Sequence, residues 1–430
     1  MSAFARKPLP PSLYADTARP PIATPPLDGD KRVSVAVIGG GFTGLSAALH
    51  LAERATDVMV LEAHEPGWGA SGRNGGQVNP GLKNDPDQVE ADFGPDLGRR
   101  MVALSWNAPN VVFDLVKRYQ ITCEARQSGT IRAAHQRGYA GDIEASFRQG
   151  EKRGMPVEML DREKIQAATG SDRYINGFID RRGGHVNPLG YARGLAQAAT
   201  QAGARIHGGT PAQKIWRDGG RWHVATPTGT VHADRLVLGT NGYTDGVWPQ
   251  LRQTIVPVYS GIVASEPLPD EMAKEIFPLR SSLYEIGMVT VYYRLDQANR
   301  VLMGGRCRQS DASGPGQLGF LVKHTHRLWP QLKRIKFTHG WNGQLAVTRD
   351  HYPHIHEPAD GVLICLGYNG RGVAMSSAMG PQIAHRTLGG KAADIDMPVT
   401  DLKGIPLHGL WKTAVAARIT YGRIRDFLNQ

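Results

Sequence analysis

Val33-Ser-Val-Ala-Val-Ile-Gly-Gly-Gly-Phe-Thr-Gly44 is the stretch of sequence that decides the fold. Its apolar first half predicts a buried parallel strand over residues 33–38. Residues 42–54 follow with apolar side chains at helical spacing, and residues 58–61 form a second short apolar run. Strand, glycine-rich turn, helix and strand in this order predict a βαβ unit.

The turn has the form G-x-G-x-x-G, and each of its glycines has a physical role. Gly39 makes the tight turn, Gly41 lets the backbone approach a pyrophosphate, and Gly44 lets the helix and the strand pack closely. Glu62, at the end of the second strand, can accept a hydrogen bond from a ribose hydroxyl. The pattern predicts a dinucleotide site without separating NAD from FAD. Its predicted contacts are Gly39, Gly41, Phe42, Thr43, Gly44, Glu62 and Ala63.

A second motif follows at Trp68-Gly-Ala-Ser-Gly-Arg-Asn-Gly-Gly-Gln77. Together with the glycine turn, it resembles the D-amino-acid-oxidase-like family of FAD enzymes, and its form is most similar to the gamma-glutamylputrescine oxidase branch. Three further segments are similar to motifs of that family in the same order: 238–244, 340–353 and 367–373. The resemblance covers most of residues 33–390.

The order of predicted elements indicates an α/β fold in which a Rossmann-like FAD-binding domain, discontinuous in sequence, contains an inserted antiparallel-sheet substrate domain. Helices are predicted near residues 97–119, 188–202, 371–388 and 406–428. The predicted parts are an irregular N-terminal arm at 1–30, FAD-binding parts at 31–90, 181–250 and 351–430 (the last with the C-terminal helix), a mixed part at 91–180 with helical and substrate-lobe segments, and the substrate-binding antiparallel sheet at 251–350.

The resemblance implies FAD as the cofactor. We expect it to be held without a covalent bond, because Leu345 stands where sarcosine-oxidase-like relatives attach the flavin through a cysteine. The loop 71–77 is suited to lie along the flavin, and the loop 367–372 opens a helix whose N-terminus would stabilise negative charge on the reduced ring. The further predicted FAD contacts are Trp68, Ser71, Arg73, Asn74, Gly75, Gly76, Gln77, Ala212, Thr240, Gly367, Gly370, Arg371, Gly372 and Val373.

Arg371 and Tyr293 are the predicted catalytic residues. Arg371 contacts either the flavin or a substrate carboxylate, which favours a planar bidentate donor, unless its role is structural; Arg73 is a second candidate. Tyr292 and Tyr293 face opposite sides of a strand, so that one of them lines a pocket unless both belong to the core. Arg306 is a candidate cation for the reaction of the flavin with oxygen.

The resemblance implies oxidation of the C–N bond of a small amine or amino acid. A hydride passes from the carbon beside nitrogen to flavin N5, leaving an imine, and O2 as the acceptor gives hydrogen peroxide. The substrate is either a gamma-glutamylputrescine-like amine or a secondary amino acid of the pipecolate or sarcosine type. No general base is assigned.

The composition leaves two other activities open. The net charge of +11 and the pI of about 9.6 are compatible with a flavin module that acts on tRNA, although no cluster of Lys and Arg predicts nucleic-acid binding. The basic helix predicted at 406–428 would suit an amine dehydrogenase that passes electrons to a membrane quinone.

The remaining features predict a cytoplasmic protein with no metal. Cys123, Cys307 and Cys365 match neither a disulfide framework nor a zinc pair. No apolar run is long enough to span a membrane, and the first 30 residues lack the apolar core of a signal peptide. Three histidines within residues 351–356 are not expected to bind a metal, because Pro353 interrupts the segment.

Overall fold

The computed structural model describes residues 5–428 apart from Met288. Over this range the helices are α1 (Leu13–Thr17), α2 (Phe42–Ala52), α3 (Pro86–Arg118), α4 (Ala140–Lys152), α5 (Arg162–Thr169), α6 (Pro188–Gln201), α7 (Asp270–Ile276), α8 (Gly319–Leu328), α9 (Gly372–Thr387) and α10 (Trp411–Leu428).

The strands belong to three sheets. They are β1 (Lys31–Ile38), β2 (Val58–Leu61), β3 (Gln77–Val78), β4 (Thr130–Ala134), β5 (Val157–Leu160), β6 (Asn176–Asp180), β7 (Gly184–His185), β8 (Arg205–His207), β9 (Lys214–Asp218), β10 (Arg221–Thr226), β11 (Gly229–Leu238), β12 (Val256–Ser265), β13 (Ser282–Glu285), β14 (Val291–Leu295), β15 (Val301–Arg306), β16 (Phe337–Val347), β17 (His354–Ala359) and β18 (Val362–Leu366).

The first lobe is built on a sheet with the order β17-β18-β11-β1-β2-β8, to which β10 and β9 are attached beside β11. Strands β18, β11, β1, β2 and β8 run parallel to one another, whereas β17 is antiparallel to β18 and β10 is antiparallel to β11. Apolar side chains of α2, α6 and α9 pack with those of β1 and β2 in one core, which encloses the βαβ unit. This lobe takes strands from the beginning, the middle and the end of the described chain.

The second lobe is a mixed sheet with the order β16-β12-β15-β14-β13-β4-β6-β5. Most pairs in this sheet are antiparallel, as expected of the substrate domain, and its strands come from 91–180 as well as from 251–350. One pair departs from the antiparallel arrangement. The strands β4, β5 and β6 come from 91–180, and β4 pairs with β13 in parallel. More than 140 residues separate these two strands, so no tight turn forces them to run in opposite directions.

The N-terminal arm is not irregular throughout its described part. Ser12 caps the short helix α1 by accepting a hydrogen bond from the backbone N–H of Ala15. Leu13, Tyr14 and Leu27 are buried against the body of the protein. Burial of these apolar side chains gives the arm a fixed path that its prolines alone did not predict.

The predicted helices are present, with small changes in their bounds. The helix expected at 97–119 begins earlier, at Pro86, and continues through a kink at Gly94, whose φ is 78°. Asn187 caps α6 by accepting from the N–H of Gly190 at 3.0 Å, and Pro188 occupies the first turn as expected. Arg371 precedes α9 as its N-cap residue.

Candidate functional site

A cavity of about 620 Å³ lies between the two lobes. Its floor is formed where β1, β2 and β11 end, around Ile38, Leu61 and Gly239. The carboxyl edge of a parallel sheet is where α/β proteins bind nucleotides. The cavity then continues to the second lobe, which contributes residues of β12, β13, β15 and β16.

The glycine turn forms one end of the cavity and depends on the absence of side chains. Gly39 has a φ of 103°, in the left-handed region. A Cβ on Gly41 would lie 2.9 Å from the hydroxyl of Ser71, and one on Gly44 would lie 2.0 Å from the carbonyl oxygen of Gly39. The first amide of α2, on Phe42, donates to Ser71 at 2.9 Å. This end therefore presents a helix N-terminus without bulk, which suits a phosphate group.

Glu62 lies at the edge of the turn, as the sequence predicts. Its Oε2 accepts from the N–H of Gly40 at 2.7 Å and its Oε1 from the N–H of His64 at 2.9 Å. Burial raises the pKa of Glu62, although both of these N–H groups lower it. The side chain is thus fixed beside the space where the ribose of a dinucleotide would lie.

The N-terminal arm closes this end of the cavity. The Arg6 guanidinium donates to the carbonyl oxygens of Thr24 and Gly208, at 2.5 and 2.7 Å. The backbone N–H of Lys7 donates to His64 Nδ1 at 3.2 Å, and Lys7 itself lines the cavity. Burial, with Lys7 and Arg73 nearby, lowers the pKa of His64 to about 4, so His64 is neutral at pH 7 and can accept this bond.

We expect Arg6→Ala to weaken FAD binding about tenfold, because two charge-assisted hydrogen bonds that hold the arm over the cavity are lost. The measurement is the dissociation constant of FAD, from the fluorescence of released flavin. Arg32→Ala, at an exposed position on β1, is the matched control and should leave FAD affinity unchanged. Equal affinities of the Arg6 variant and the parent protein would show that the arm does not contribute.

The loop 68–77 lines the middle of the cavity, but its polar side chains are largely used within the protein. Arg73 donates to the carbonyl oxygen of Trp68 at 2.8 Å and stacks over the Trp68 ring. Asn74 donates to the carbonyl oxygens of Ala70 and Ser71. The Gln77 amide donates to the carbonyl oxygens of Leu283 and Tyr293 and so ties the loop to the second lobe.

The structure places Tyr292, and not Tyr293, at the cavity. Tyr293 faces the core of the second lobe, where its ring packs edge-on against Phe277 and Trp329. Tyr292 lines the cavity and donates to, or accepts from, the Ser260 hydroxyl at 3.0 Å. The expectation for Tyr293 is corrected because neighbouring strand residues face opposite sides, and helix α8 and Trp329 cover the side of Tyr293.

Positive side chains line the end of the cavity in the second lobe. Arg371 donates through Nη2 to the Tyr284 hydroxyl at 2.9 Å and lies 4.5 Å from the centre of that ring. Its buried Nη1 has no hydrogen-bond partner among the described residues. Lys83, Arg132 and Arg306 line the same region. Sequence reasoning missed Lys83 and Arg132, because neither belongs to a recognisable motif.

Glu285 also lines this end, within a buried network. It accepts from the Tyr174 hydroxyl at 2.9 Å and pairs with His324 at 3.1 Å and His135 at 3.4 Å. Burial alone would raise the pKa of Glu285, but the two histidines and these hydrogen bonds lower it to about 2. Burial lowers the pKa of His324, but the charge of Glu285 and the hydrogen bond to it outweigh this effect and raise that pKa.

Glu285→Gln should lower the free energy of unfolding by about 2–3 kcal/mol near pH 5.5, because hydrogen bonds to a charged group are lost. The lowered pKa of Glu285 contributes stability above pH 4.5 that is lost as the pH falls toward 2. The raised pKa of His324 contributes stability below pH 6.5 that is lost as the pH rises through its folded value.

The difference in unfolding free energy between parent and variant should therefore be largest between about pH 4.5 and 6.5. Urea unfolding at several pH values measures it. The exposed Glu151→Gln is the matched control, with no pH-dependent difference expected. A difference for Glu285→Gln that is constant from pH 4 to 8 would contradict the role assigned to the network.

Most of the predicted cofactor contacts line the cavity, and three do not. Gly44, Gly76 and Gly367 lie behind its wall, where each allows close packing of the backbone. A Cβ on Gly76 would lie 2.1 Å from the carbonyl oxygen of Val186, and one on Gly367 would lie 2.3 Å from a methyl carbon of Thr348. These glycines shape the site without facing it.

The residues around the cavity fit a flavin dinucleotide. The glycine turn, the fixed Glu62 and the cation-lined opposite end match the phosphate, ribose and ring ends of such a molecule. Leu345 lines the cavity, whereas the three cysteines are buried elsewhere and unpaired. Within the described residues, no group of three or more potential ligands is arranged for a metal ion, and no helix has the length and apolarity to cross a bilayer.

Comparison with known proteins adds a family and several relatives. The model of the DAO family, described as FAD dependent oxidoreductase, matches residues 34–386. The gamma-glutamylputrescine oxidoreductase of Escherichia coli is 32% identical over 375 residues, covering 87% of this chain and 88% of that protein. The probable oxidoreductase OrdL of Haemophilus influenzae is 31% identical over 384 residues, covering 88% of each chain.

Solved structures share the fold. The glycine oxidase of Geobacillus kaustophilus superposes with a TM-score of 0.71 at 21% identity, over 84% of this chain and 96% of that one. An L-proline dehydrogenase from P. horikoshii gives a TM-score of 0.69 at 18% identity, over 85% and 95% of the two chains. Both matches confirm the expected mixed α/β fold with more than one sheet.

Proposed function

The chain belongs to the DAO family of FAD-dependent oxidoreductases, and on that premise we propose that it oxidises the C–N bond of a small amine or amino acid. FAD, bound without a covalent link, would accept the hydride at N5 and pass the electrons to O2, giving an imine and hydrogen peroxide. This proposal is supported by one cavity that extends from the glycine turn, which suits a phosphate, to an end lined by Arg371, Tyr284 and Tyr292.

The residues of the second-lobe end have clear tasks in this proposal. Arg371 lines the cavity and would pair with a substrate carboxylate, while Tyr284 accepts a hydrogen bond from its Nη2. The Tyr292 ring lines the cavity next to Gly75. A Cβ on Gly75 would lie 2.6 Å from this ring. The contact leaves no room for a side chain at Gly75.

The positive charge at this end of the cavity would also favour the neutral form of the substrate amine. Free amines have a pKa near about 10, and only the neutral amine can release a hydride from its carbon. Lys83, Arg306 and Arg371 disfavour an additional positive charge in the same cavity. The cavity therefore favours the neutral amine without a side chain that acts as a general base.

The substrate proposed first is a gamma-glutamylputrescine-like amine, which the similarity to the Escherichia coli enzyme supports, and the second is a secondary amino acid such as pipecolate or sarcosine. The test is anaerobic titration of the purified yellow protein with both compounds, glycine and proline. Bleaching of the flavin absorbance by one of them supports the proposal, and no bleaching by any of them overturns these substrates. Yellow colour retained by the washed, acid-precipitated protein would contradict non-covalent FAD.

A quinone as electron acceptor is a second candidate, because α10 is exposed and carries Tyr421 and Ile424 beside basic residues such as Arg418 and Arg425. Such a face suits an acidic membrane surface. Oxygen consumption separates the two: turnover that consumes no O2 but reduces a soluble quinone would favour this acceptor. The buried, unpaired cysteines are compatible with the proposed cytoplasmic location.

A further inference from the structure

The second-lobe end of the cavity holds more positive charge than one carboxylate would balance. Lys83, Arg132, Arg306 and Arg371 all line it. They come from a loop, from β4, from the end of β15 and from the N-cap of α9, so four separate parts of the chain converge here. Asp85 and Glu285 are carboxylates in this region, and Asp142 also lies near Arg132.

Asp85 and Glu285 are already paired. Asp85 accepts from Arg132 Nη1 at 2.6 Å and from the Ser146 hydroxyl at 2.6 Å. Glu285 is engaged by Tyr174 and two histidines, as described above. Among the described residues, Asp85 therefore balances Arg132, and no carboxylate pairs with any of the other three cations.

Lys83, Arg306 and Arg371 form no ion pair among the described residues, and Lys83 and Arg306 also form no hydrogen bond through their side chains there. Arg306 Nη1, like Arg371 Nη1, is buried without a partner. Lys83 lines the cavity with its side chain exposed to solvent. The protein atoms around it still remove part of its hydration. A guanidinium donor that is buried without an acceptor costs free energy, which a ligand acceptor would recover.

The cofactor's pyrophosphate does not account for these charges. It is expected at the N-terminus of α2, on the first lobe, where Gly39, Gly41 and the arm residue Lys7 lie. The unbalanced cations surround Tyr284 on β13 of the second lobe.

We propose that, among amino acids, this site prefers one with two acid groups, which deepens and rests on the amino-acid alternative of the proposed function. Arg371, supported by Tyr284, binds one carboxylate, and Lys83 and Arg306 bind the second acid group. Such a dianion supplies a counter-charge at both places, whereas a monoacid leaves either Arg371 or the pair Lys83 and Arg306 without one.

Binding of the second group should depend on pH through Lys83. Burial, followed by the charges of Arg371, Arg132 and Arg306, lowers the pKa of Lys83 to about 8, and Asp85 opposes this shift. His351 also lies close enough for Lys83 to lower its pKa. Lys83 is charged below pH 8 and loses its proton above it, so the affinity for a diacid should fall as the pH rises through about 8.

The test uses acids without an amine, so that binding is separated from oxidation. Calorimetric titration of the FAD-loaded protein compares glutarate, with two carboxylates, and butyrate, with one carboxylate on the same length of apolar chain. At pH 7 we expect glutarate to bind about 10- to 100-fold more tightly than butyrate. Above pH 9 the difference should shrink.

Two variants test which residue binds the second acid group of the ligand. Lys83→Met should remove most of the preference for glutarate and leave the affinity for butyrate unchanged, whereas Arg371→Met should weaken both ligands. Lys323→Met, the same change at an exposed position on α8, is the control and should alter neither affinity.

Equal affinities for glutarate and butyrate, or a preference that survives Lys83→Met, would overturn the diacid proposal. The proposed function fails in a different experiment. It is wrong if neither the amine panel nor an amino diacid such as glutamate or N-methylaspartate bleaches the flavin. Tight glutarate binding in that case would still support a site for diacids.

Discussion

Gly44→Ala is expected to yield a protein that has lost FAD. A Cβ at this position would lie 2.0 Å from the carbonyl oxygen of Gly39 and 3.1 Å from Val37 Cγ1. The first neighbour is backbone and cannot rotate away, so α2 must move from the end of β1. Because the phosphate end of the cavity consists of these two segments, we expect FAD affinity to fall by a factor on the order of 100 or more.

The same change should lower the free energy of unfolding by about 1–3 kcal/mol, as overpacking does in a close-packed core. The ratio of flavin to protein absorbance measures the retained FAD, and urea unfolding of the FAD-free protein measures stability. Gly141→Ala is the matched control, because Gly141 is helical and a Cβ there would meet no atom within 4 Å. We expect this control to keep its FAD and to gain up to about 1 kcal/mol.

Retention of stoichiometric FAD by Gly44→Ala would contradict the assigned geometry of the turn. Should the variant fail to fold, Gly41→Ala provides a second test. Its Cβ would lie 2.9 Å from the Ser71 hydroxyl, which is the end of a small side chain and can rotate. This milder clash should weaken FAD binding with little effect on stability.

Arg371→Met is expected to slow oxidation of an amino acid with FAD still bound. The change removes a guanidinium that lines the cavity and its hydrogen bond from Nη2 to Tyr284. Losing a bidentate, charge-assisted contact should lower kcat/KM by a factor of about 100 to 1000. Rapid-mixing measurement of flavin reduction without oxygen gives the rate and the apparent affinity separately.

The Arg371 experiment also separates its two possible roles. If Arg371 binds a carboxylate, oxidation of an amine without a carboxylate should be much less affected than oxidation of an amino acid. If it acts on the flavin, both reactions should slow equally. Tyr284→Phe should show a smaller loss, about tenfold, since only the supporting hydroxyl is removed. Arg349→Met, at an exposed position, is the control with unchanged rates.

The sequence alone predicted the nucleotide-binding unit, because its determinants are local. The apolar run before Gly39, the glycine spacing and the apolar period of α2 lie within about 20 consecutive residues, and each follows from backbone geometry or side-chain periodicity. The caps of α6 and the start of α9 were predictable for the same reason. The comparisons confirm the family that the separate motifs indicated.

The second lobe was predicted less well, because its order depends on pairing between distant segments. No pattern in residues 130–134 indicates a parallel partner at 282–285. The choice between Tyr292 and Tyr293 was also beyond the sequence, since alternation fixes that they face opposite sides but not which side is covered. Packing of Tyr293 against Phe277 and Trp329 decided it.

The sequence by itself thus determined the glycine-turn βαβ unit and the family, and the tertiary structure decided what surrounds the other end of the cavity. Lys83, Arg132, Arg306 and Arg371 lie nearly 300 residues apart from first to last. Lys83 and Arg132 would pass as ordinary surface cations in their own stretches of sequence, whereas the motifs had already indicated Arg306 and Arg371. Only the pairing of β4 with β13 and the return of the chain at α9 place all four charges in one cavity, where they repel one another.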